Sequence, residues 1–149
     1  LVMILTKDKG PLARWFYYNS LVLVLITMGG SMLASLWYSE VIGYLPCLMC
    51  WYQRITIYGI AIIAFLALIK KHGNEVWSYI STLSVLGIIV AIIHVFSRKA
   101  EVEVFDCSAV GPSCLQELFT KFGYIDIPVM SLSALIFVIL IIINRKRFI

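Results

Sequence analysis

Charge is what this sequence has least of. Its 149 residues include 12 Lys and Arg and 8 Asp and Glu, 13% of the chain, against a hydrophobic share of 62% and a mean hydropathy of +0.97. A water-soluble domain of this length could not cover so much apolar surface, so the composition excludes one and indicates an integral membrane protein. Also missing are a basic patch of the kind that binds nucleic acid, an internal repeat, a low-complexity segment and a dividing linker. A single four-helix domain is therefore expected over residues 1–149. No cleavable leader is evident, because apolar residues 1–5 are too few to span and the first long apolar segment can serve as the anchor. A chain that starts with Leu rather than Met is expected to be trimmed or processed.

Asp, Glu, Lys and Arg are absent from residues 15–39, 76–97 and 127–144, runs of 25, 22 and 18 residues. Each run is close to the ~20 residues a helix needs to cross the hydrocarbon core. A fourth window is shorter, with 15 uncharged residues between Arg54 and Lys70. At ~1.5 Å per residue it covers roughly 22 Å, less than the ~30 Å core, so the span must recruit the turns before Ile55. The expectation is an all-α membrane protein with four spans at about 15–39, 50–69, 76–97 and 127–144, and connecting outer loops at 40–49 and 98–126. Arg54 then lies inside the membrane, about one turn below the interface.

Lysine and arginine fix the expected orientation. Lys7, Lys9, Arg14, Lys70, Lys71, Arg145, Lys146 and Arg147 fall on one side, eight in all, whereas Arg98, Lys99 and Lys121, three in all, fall on the other. The first side is expected to be cytoplasmic, with both termini on it, so the net charge of +4 reflects topology.

The four cysteines all fall on the outer side: Cys47 and Cys50 at the rim, Cys107 and Cys114 in the long loop. An even set confined to an oxidising face reads as two disulfide pairs. Cys107 and Cys114 enclose SAVGPS, whose Gly111-Pro112 turn can bring the ends together. Cys47 and Cys50 straddle the first turn of a helix that Pro46 helps to start, where unpaired N–H groups and the positive dipole end favour a thiolate. Arg54, four residues after Cys50 and seven after Cys47, shares their face on helical spacing and can stabilise an anion there. Two other readings stay open at this point. One is a zinc site made by all four cysteines, for which the six-residue spacing is wide and no His lies close in sequence; the other is a pair of purely structural disulfides.

The run PCLMCWYQR, followed by DCSAVGPSC and then FGYIDIP, resembles the DsbB family of membrane disulfide-generating proteins, most closely its BdbC-type Gram-positive branch. The likeness covers nearly the whole chain in order, and the C-x-x-C comes before the loop cysteines, unlike in the related vitamin K epoxide reductases. Many proteobacterial members carry Glu where this chain has Gln53.

The resemblance implies a quinone-dependent thiol:disulfide oxidoreductase in a bacterial cytoplasmic membrane. Its implied partner is an extracytoplasmic thioredoxin-fold oxidase of the DsbA or BdbD kind, which would attack the loop disulfide at Cys107, with Cys114 as leaving sulfur. Electrons would pass to the Cys47–Cys50 pair, then from Cys50, beside Arg54, to menaquinone or ubiquinone. His94, 13 residues before Cys107, matches a family histidine placed near the quinone. Trp51, Tyr52 and Tyr58 could line a ring pocket or belong to the interfacial aromatic belt, and no metal is implied. Leu115, Leu118, Phe119 and Phe122 recur at helical spacing and are expected to form a short interfacial helix. Gly30 and Ala34 are expected to mark close helix packing. A metal-binding or structural membrane protein, or a reductive relay of the vitamin K epoxide reductase kind, are the alternatives.

Overall fold

A computed structural model of the protein describes residues 11–43, 45–70, 74–101 and 127–147. Cys107, Cys114 and the expected interfacial helix lie outside the described residues. Helix α1 is Pro11–Tyr18, and α2, Ser20–Leu36, runs on into a π-helical turn, Trp37–Val41. Helices α3 (Leu48–Lys70), α4 (Val76–Ala100) and α5 (Ile127–Lys146) follow, and no strand occurs among the described residues. Four of these segments are long and apolar enough to cross a membrane: Ser20–Val41, α3, α4 and α5. The protein is an all-α membrane bundle of four spans.

The first crossing differs from the unbroken run expected from residue 15. At Asn19 the backbone (φ −96°, ψ 9°) leaves the helical region, and the side-chain amide donates to the Trp15 carbonyl at 2.9 Å. A side chain that bonds its own backbone competes with the helix, so α1 stands apart. At the other end the helix widens into the π turn, where Ile42 N–H donates to Trp37 O at 3.3 Å, and Gly43 at φ 81° ends it. A left-handed φ of that size favours a residue without Cβ. At the start of α3 the chain recruits Leu48 to Arg54 ahead of the uncharged run, which gives the short window its length.

The spans form a ring. α2 packs on α3 and α5, and α4 packs on α3 and α5, which leaves α3 and α5 on a diagonal. Each helix buries one stripe: Val24 and Met28 of α2; Ile57, Ile60, Ala61 and Ala64 of α3; Ile80, Ser84, Gly87 and Ala91 of α4; Leu135, Val138 and Ile142 of α5. The 3.6-residue period sets those spacings. The opposite faces present Ile26, Leu33, Ile62 and Ile89 outward, 65%, 68%, 53% and 49% exposed, an apolar surface suited to lipid and not to water.

With no hydrophobic force between helices in lipid, small residues let backbones approach closely. Among the described glycines Gly87 is the tightest such point: a Cβ there would stand 2.8 Å from Thr56 Oγ1 and 3.0 Å from Leu135 Cδ1, so α3, α4 and α5 meet over a bare backbone.

The end of the bundle away from Cys47 and Cys50 is held by Arg145. Its guanidinium lies between the rings of Tyr17 and Trp77, 4.9 and 4.6 Å from their centroids. Nη2 donates to Asn74 Oδ1 at 2.9 Å and Nη1 to Ser20 Oγ at 3.3 Å, so one side chain of α5 ties α1, α2 and α4 together.

Gly87→Ala is expected to lower the thermal midpoint of the detergent-solubilised protein by an overpacking cost of about 1–3 kcal/mol. Gly59→Ala, whose methyl would meet Leu83 Cδ1 at an ordinary 3.4 Å, is expected to leave it unchanged. Equal midpoints for the two variants would show that the contact at Gly87 does not limit packing.

Candidate active site

The site forms where α2 and α4 end and α3 and α5 begin. Cys47 is the residue before the first helical position of α3; its carbonyl accepts the Trp51 N–H at 3.1 Å, and its sulfur accepts the Cys50 N–H at 3.4 Å. The sulfur thus does what a Ser or Asp oxygen does at other helix starts, taking an N–H that has no partner within the helix. The three-residue spacing follows from this, because the N–H three positions on points back at the capping side chain. It also brings the Cys50 sulfur to 2.8 Å from that of Cys47.

Cys47 is buried, 2% exposed, and faces α4, where His94 Nε2 stands 3.9 Å from its sulfur. His94 is equally buried, and its Nδ1 lies 3.4 Å from Gln53 Nε2. An amide N–H can only donate, so Nδ1 accepts and the ring proton sits on Nε2, aimed at the sulfur. In this orientation Gln53 Oε1 accepts from the Ser131 hydroxyl of α5 at 3.0 Å, which shares its proton with the Pro128 carbonyl at 2.9 Å. A chain of polar contacts therefore runs from α5 through α3 and α4 to Cys47, across the bundle's diagonal. The Cys47 thiol is held well below its ordinary range. The hydrogen bond with the Cys50 sulfur contributes most, burial opposes it, and His94 and the Cys50 N–H add to it.

Cys50 takes the other direction. With Arg54 it lines a cavity of about 440 Å³ between α2, α3 and the start of α5. The walls include Gly30, Ala34 and Ser35 of α2, Ile57 of α3, and Met130 and Ser131 of α5. The Arg54 guanidinium is tethered to α2: Nε donates to Ser35 Oγ at 2.9 Å and an Nη to the Ser35 carbonyl at 3.0 Å, while the Trp51 ring lies 5.3 Å away. An arginine in a span costs roughly 2.5–3.5 kcal/mol at the centre. Hydrogen bonds to a charged group return about 1.5–3 kcal/mol each, so the tether offsets the cost of siting the charge here.

The geometry separates residues that the sequence grouped. Cys47 does not share the face of Cys50 and Arg54, because it precedes the helix and helical spacing does not govern it. Trp51, 53% exposed, and Tyr58, packed against the core, do not line the cavity. Nor does His94, which serves Cys47 instead. Gly30 and Ala34 do not mark close packing: nothing lies within 4 Å of a Cβ built on Gly30, and both residues open onto the cavity. Ser131 and Ser35 are contacts of the site that the sequence does not single out, and Gln53 stands out there only as a departure from the Glu of many family members.

Comparison with known proteins places these residues in a family. The family model described as Disulfide bond formation protein DsbB matches residues 17–144. The SPbeta prophage-derived disulfide bond formation protein B of Bacillus subtilis (strain 168) is 38% identical over 111 residues, 74% of each chain. Disulfide bond formation protein C of the same organism is 32% identical over 127 residues, 84% of this chain and 88% of that one. A probable disulfide formation protein of Metapseudomonas resinovorans is 33% identical over 133 residues, 87% of this chain and 92% of that one. No solved structure matches.

Because the thiolate form of Cys47 is favoured, it persists as pH falls below the ordinary thiol range and is lost only when pH drops through the lowered value. In reduced protein carrying Cys107→Ser and Cys114→Ser, the thiolate absorbance is expected to titrate at lower pH than a free cysteine, and His94→Ala to move that titration upward. An unchanged titration in His94→Ala would remove the histidine from the account.

Proposed function

The chain belongs to the DsbB family of disulfide bond formation proteins, as a multi-pass membrane disulfide oxidoreductase, and on that premise we propose that it reoxidises a thioredoxin-fold oxidase outside the cytoplasmic membrane at the expense of a membrane quinone. The observation that carries this reading is the division of the C-x-x-C pair: Cys47 is set against His94, and Cys50 opens with Arg54 onto one apolar cavity.

In the proposed exchange, a thiolate of the reduced partner attacks the Cys107–Cys114 disulfide at Cys107, and Cys114 leaves. The partner's second thiol resolves the mixed disulfide, leaving the partner oxidised and the loop pair reduced. Exchange with the Cys47–Cys50 disulfide then re-forms the loop disulfide and leaves Cys47 and Cys50 as the dithiol. At each displacement the departing sulfur needs stabilisation as an anion. Cys47 has it from the helix N-terminus and the Nε2 proton of His94, and Cys50 from the nearby Arg54 charge in a region of low dielectric. Menaquinone or ubiquinone, when bound, supplies the acceptor for two electrons and two protons. The cavity fits such a ring: its walls are mostly apolar, Gly30 leaves open space, and Arg54 and Ser131 offer polar atoms at the Cys50 end. The lysine and arginine bias supports the orientation with both termini cytoplasmic and the thiols outward.

One observation favours a second reading: the ligand atoms of Cys47, Cys50 and His94 lie within 4.8 Å of one another, a set that could hold a metal ion. Two thiolates on a tetrahedral zinc at ~2.3 Å would stand roughly 3.8 Å apart. The sulfurs here are 2.8 Å apart, closer than two ligands of one zinc stand, and the redox reading takes precedence.

The test is quinol formation, without oxygen, by the purified chain supplied with a reduced thioredoxin-fold oxidase. Cys50→Ser is expected to abolish it. Arg54→Ala is expected to raise the KM for quinone roughly ten- to a hundredfold, the loss of one charge-assisted contact, while the mixed disulfide at Cys107 still forms. Turnover unaffected at every quinone concentration would end the role of Arg54. Filling the cavity with Gly30→Leu is expected to block quinone use in a bundle that still folds; normal quinone use by that variant would place the ring elsewhere.

A further inference from the structure

A second cavity, about 240 Å³, lies between α4 and α5 at the end of the bundle away from the cysteines. The disulfide chemistry makes no use of it. Its walls include Trp77, Ser78 and Ser81 from the start of α4 and Ile142, Arg145 and Lys146 from the end of α5. Among the described residues two cations line it and no carboxylate does; Glu75, the residue before α4, is outside the lining.

The two cations differ in what they can do. Arg145 is fixed by the rings of Tyr17 and Trp77 and by bonds to Asn74 and Ser20, so its charge cannot swing away into water. Lys146 is exposed and has no hydrogen-bond or ion-pair partner among the described residues. The hydroxyl of Ser78 is likewise uncommitted among the described residues and can donate. A fixed guanidinium, a free ammonium and a free hydroxyl around one hollow match an anion with several acceptor oxygens. Placement narrows the anion further. The cavity sits at the ends of two spans beside a tryptophan, the depth of lipid headgroups. Continuing from Ser78 and Ser81 at helical spacing, α4 presents Val85, Ile89 and Ile92 outward, 49%, 49% and 53% exposed. A soluble anion has no use for that apolar strip, and an acyl chain does.

We propose that this cavity binds the phosphate headgroup of an anionic phospholipid, with Lys146, Arg145 and Ser78 toward the phosphate and the acyl chains along Val85 and Ile89. A basic hollow between spans is the kind of feature that selects anionic lipid from a mixed bilayer. Because Arg145 already joins α1, α2, α4 and α5, a lipid held there would reinforce the closed end of the bundle. The inference is independent of the redox reading and can be tested on oxidised protein that performs no turnover.

The full-length chain, delipidated in neutral detergent, would be titrated with short-chain phosphatidylglycerol and with phosphatidylcholine, and binding followed by native mass spectrometry. One phosphatidylglycerol per chain is expected, held about fivefold more tightly than phosphatidylcholine. Lys146→Gln is expected to weaken it about fivefold, Lys146→Arg to restore it, and Lys70→Gln, which removes a lysine at the same membrane end outside the cavity, to leave it unchanged. Equal binding of the two lipids would overturn the proposal, and so would equal losses in Lys146→Gln and Lys70→Gln, the mark of diffuse surface attraction. Displacement of the lipid by millimolar inorganic phosphate would also overturn it, in favour of a soluble-anion site.

Discussion

A helix that starts at the edge of a membrane has N–H groups that water no longer fully serves, and in this protein a cysteine takes one of them. Cys47 caps α3 with its sulfur, accepting the N–H of Cys50, and most of the site follows from that contact. It sets the two thiols three residues apart, brings their sulfurs together, and places the first of them where the dipole and a donor both favour the anion. It also takes Cys47 out of the helical register. One sulfur can then turn to α4 while the other, inside the helix, turns to the gap between α2, α3 and α5.

That gap exists because of where the small residues lie. Near Gly87 they let α3, α4 and α5 come together over bare backbone, and the centre of the bundle is tight. Nearer the cysteines, Gly30 and Ala34 of α2 face an opening. The same residue types produce close packing in one place and a cavity in the other, and the difference is whether a neighbouring side chain reaches in. Arg54 stands at the cavity because Ser35 holds it there with two contacts, so its charge is anchored to a different helix from the one that carries it.

Among the described residues the polar side chains near the thiols fall into two linked groups, Arg54 with Ser35 and a chain from Ser131 to Cys47, while the buried Ser97 hydroxyl one turn beyond His94 has no partner. Ser131, Gln53 and His94 link three helices and end at Cys47. In a medium without water an unsatisfied member is costly, so Ser131, Gln53 and His94 hold one another's orientation across three helices. At the opposite end Arg145 performs a comparable joining task with aromatic faces and side-chain oxygens. The bundle is thus fastened at both ends by cations tied to neighbouring helices, around a centre closed by small residues.

The four spans, the membrane class and the siting of a C-x-x-C pair at the head of a helix were legible in the sequence, because each rests on local properties: length of apolar runs, scarcity of charge, and short spacing along the chain. The resemblance carried by PCLMCWYQR led to the family that the comparisons show. What could not be read locally was every contact between residues far apart in the chain. His94 lies 47 residues from Cys47, Ser131 lies 78 from Gln53, and Ser35 lies 19 from Arg54. The break at Asn19 depended on a side-chain bond to its own backbone, and the role of Gly30 on the absence of a neighbour. Sequence by itself determined that thiols and a charge stand at the head of a membrane helix. Only the tertiary structure decided which thiol meets the histidine and which meets the cavity, because helix packing, and not spacing, chooses the neighbours of a side chain.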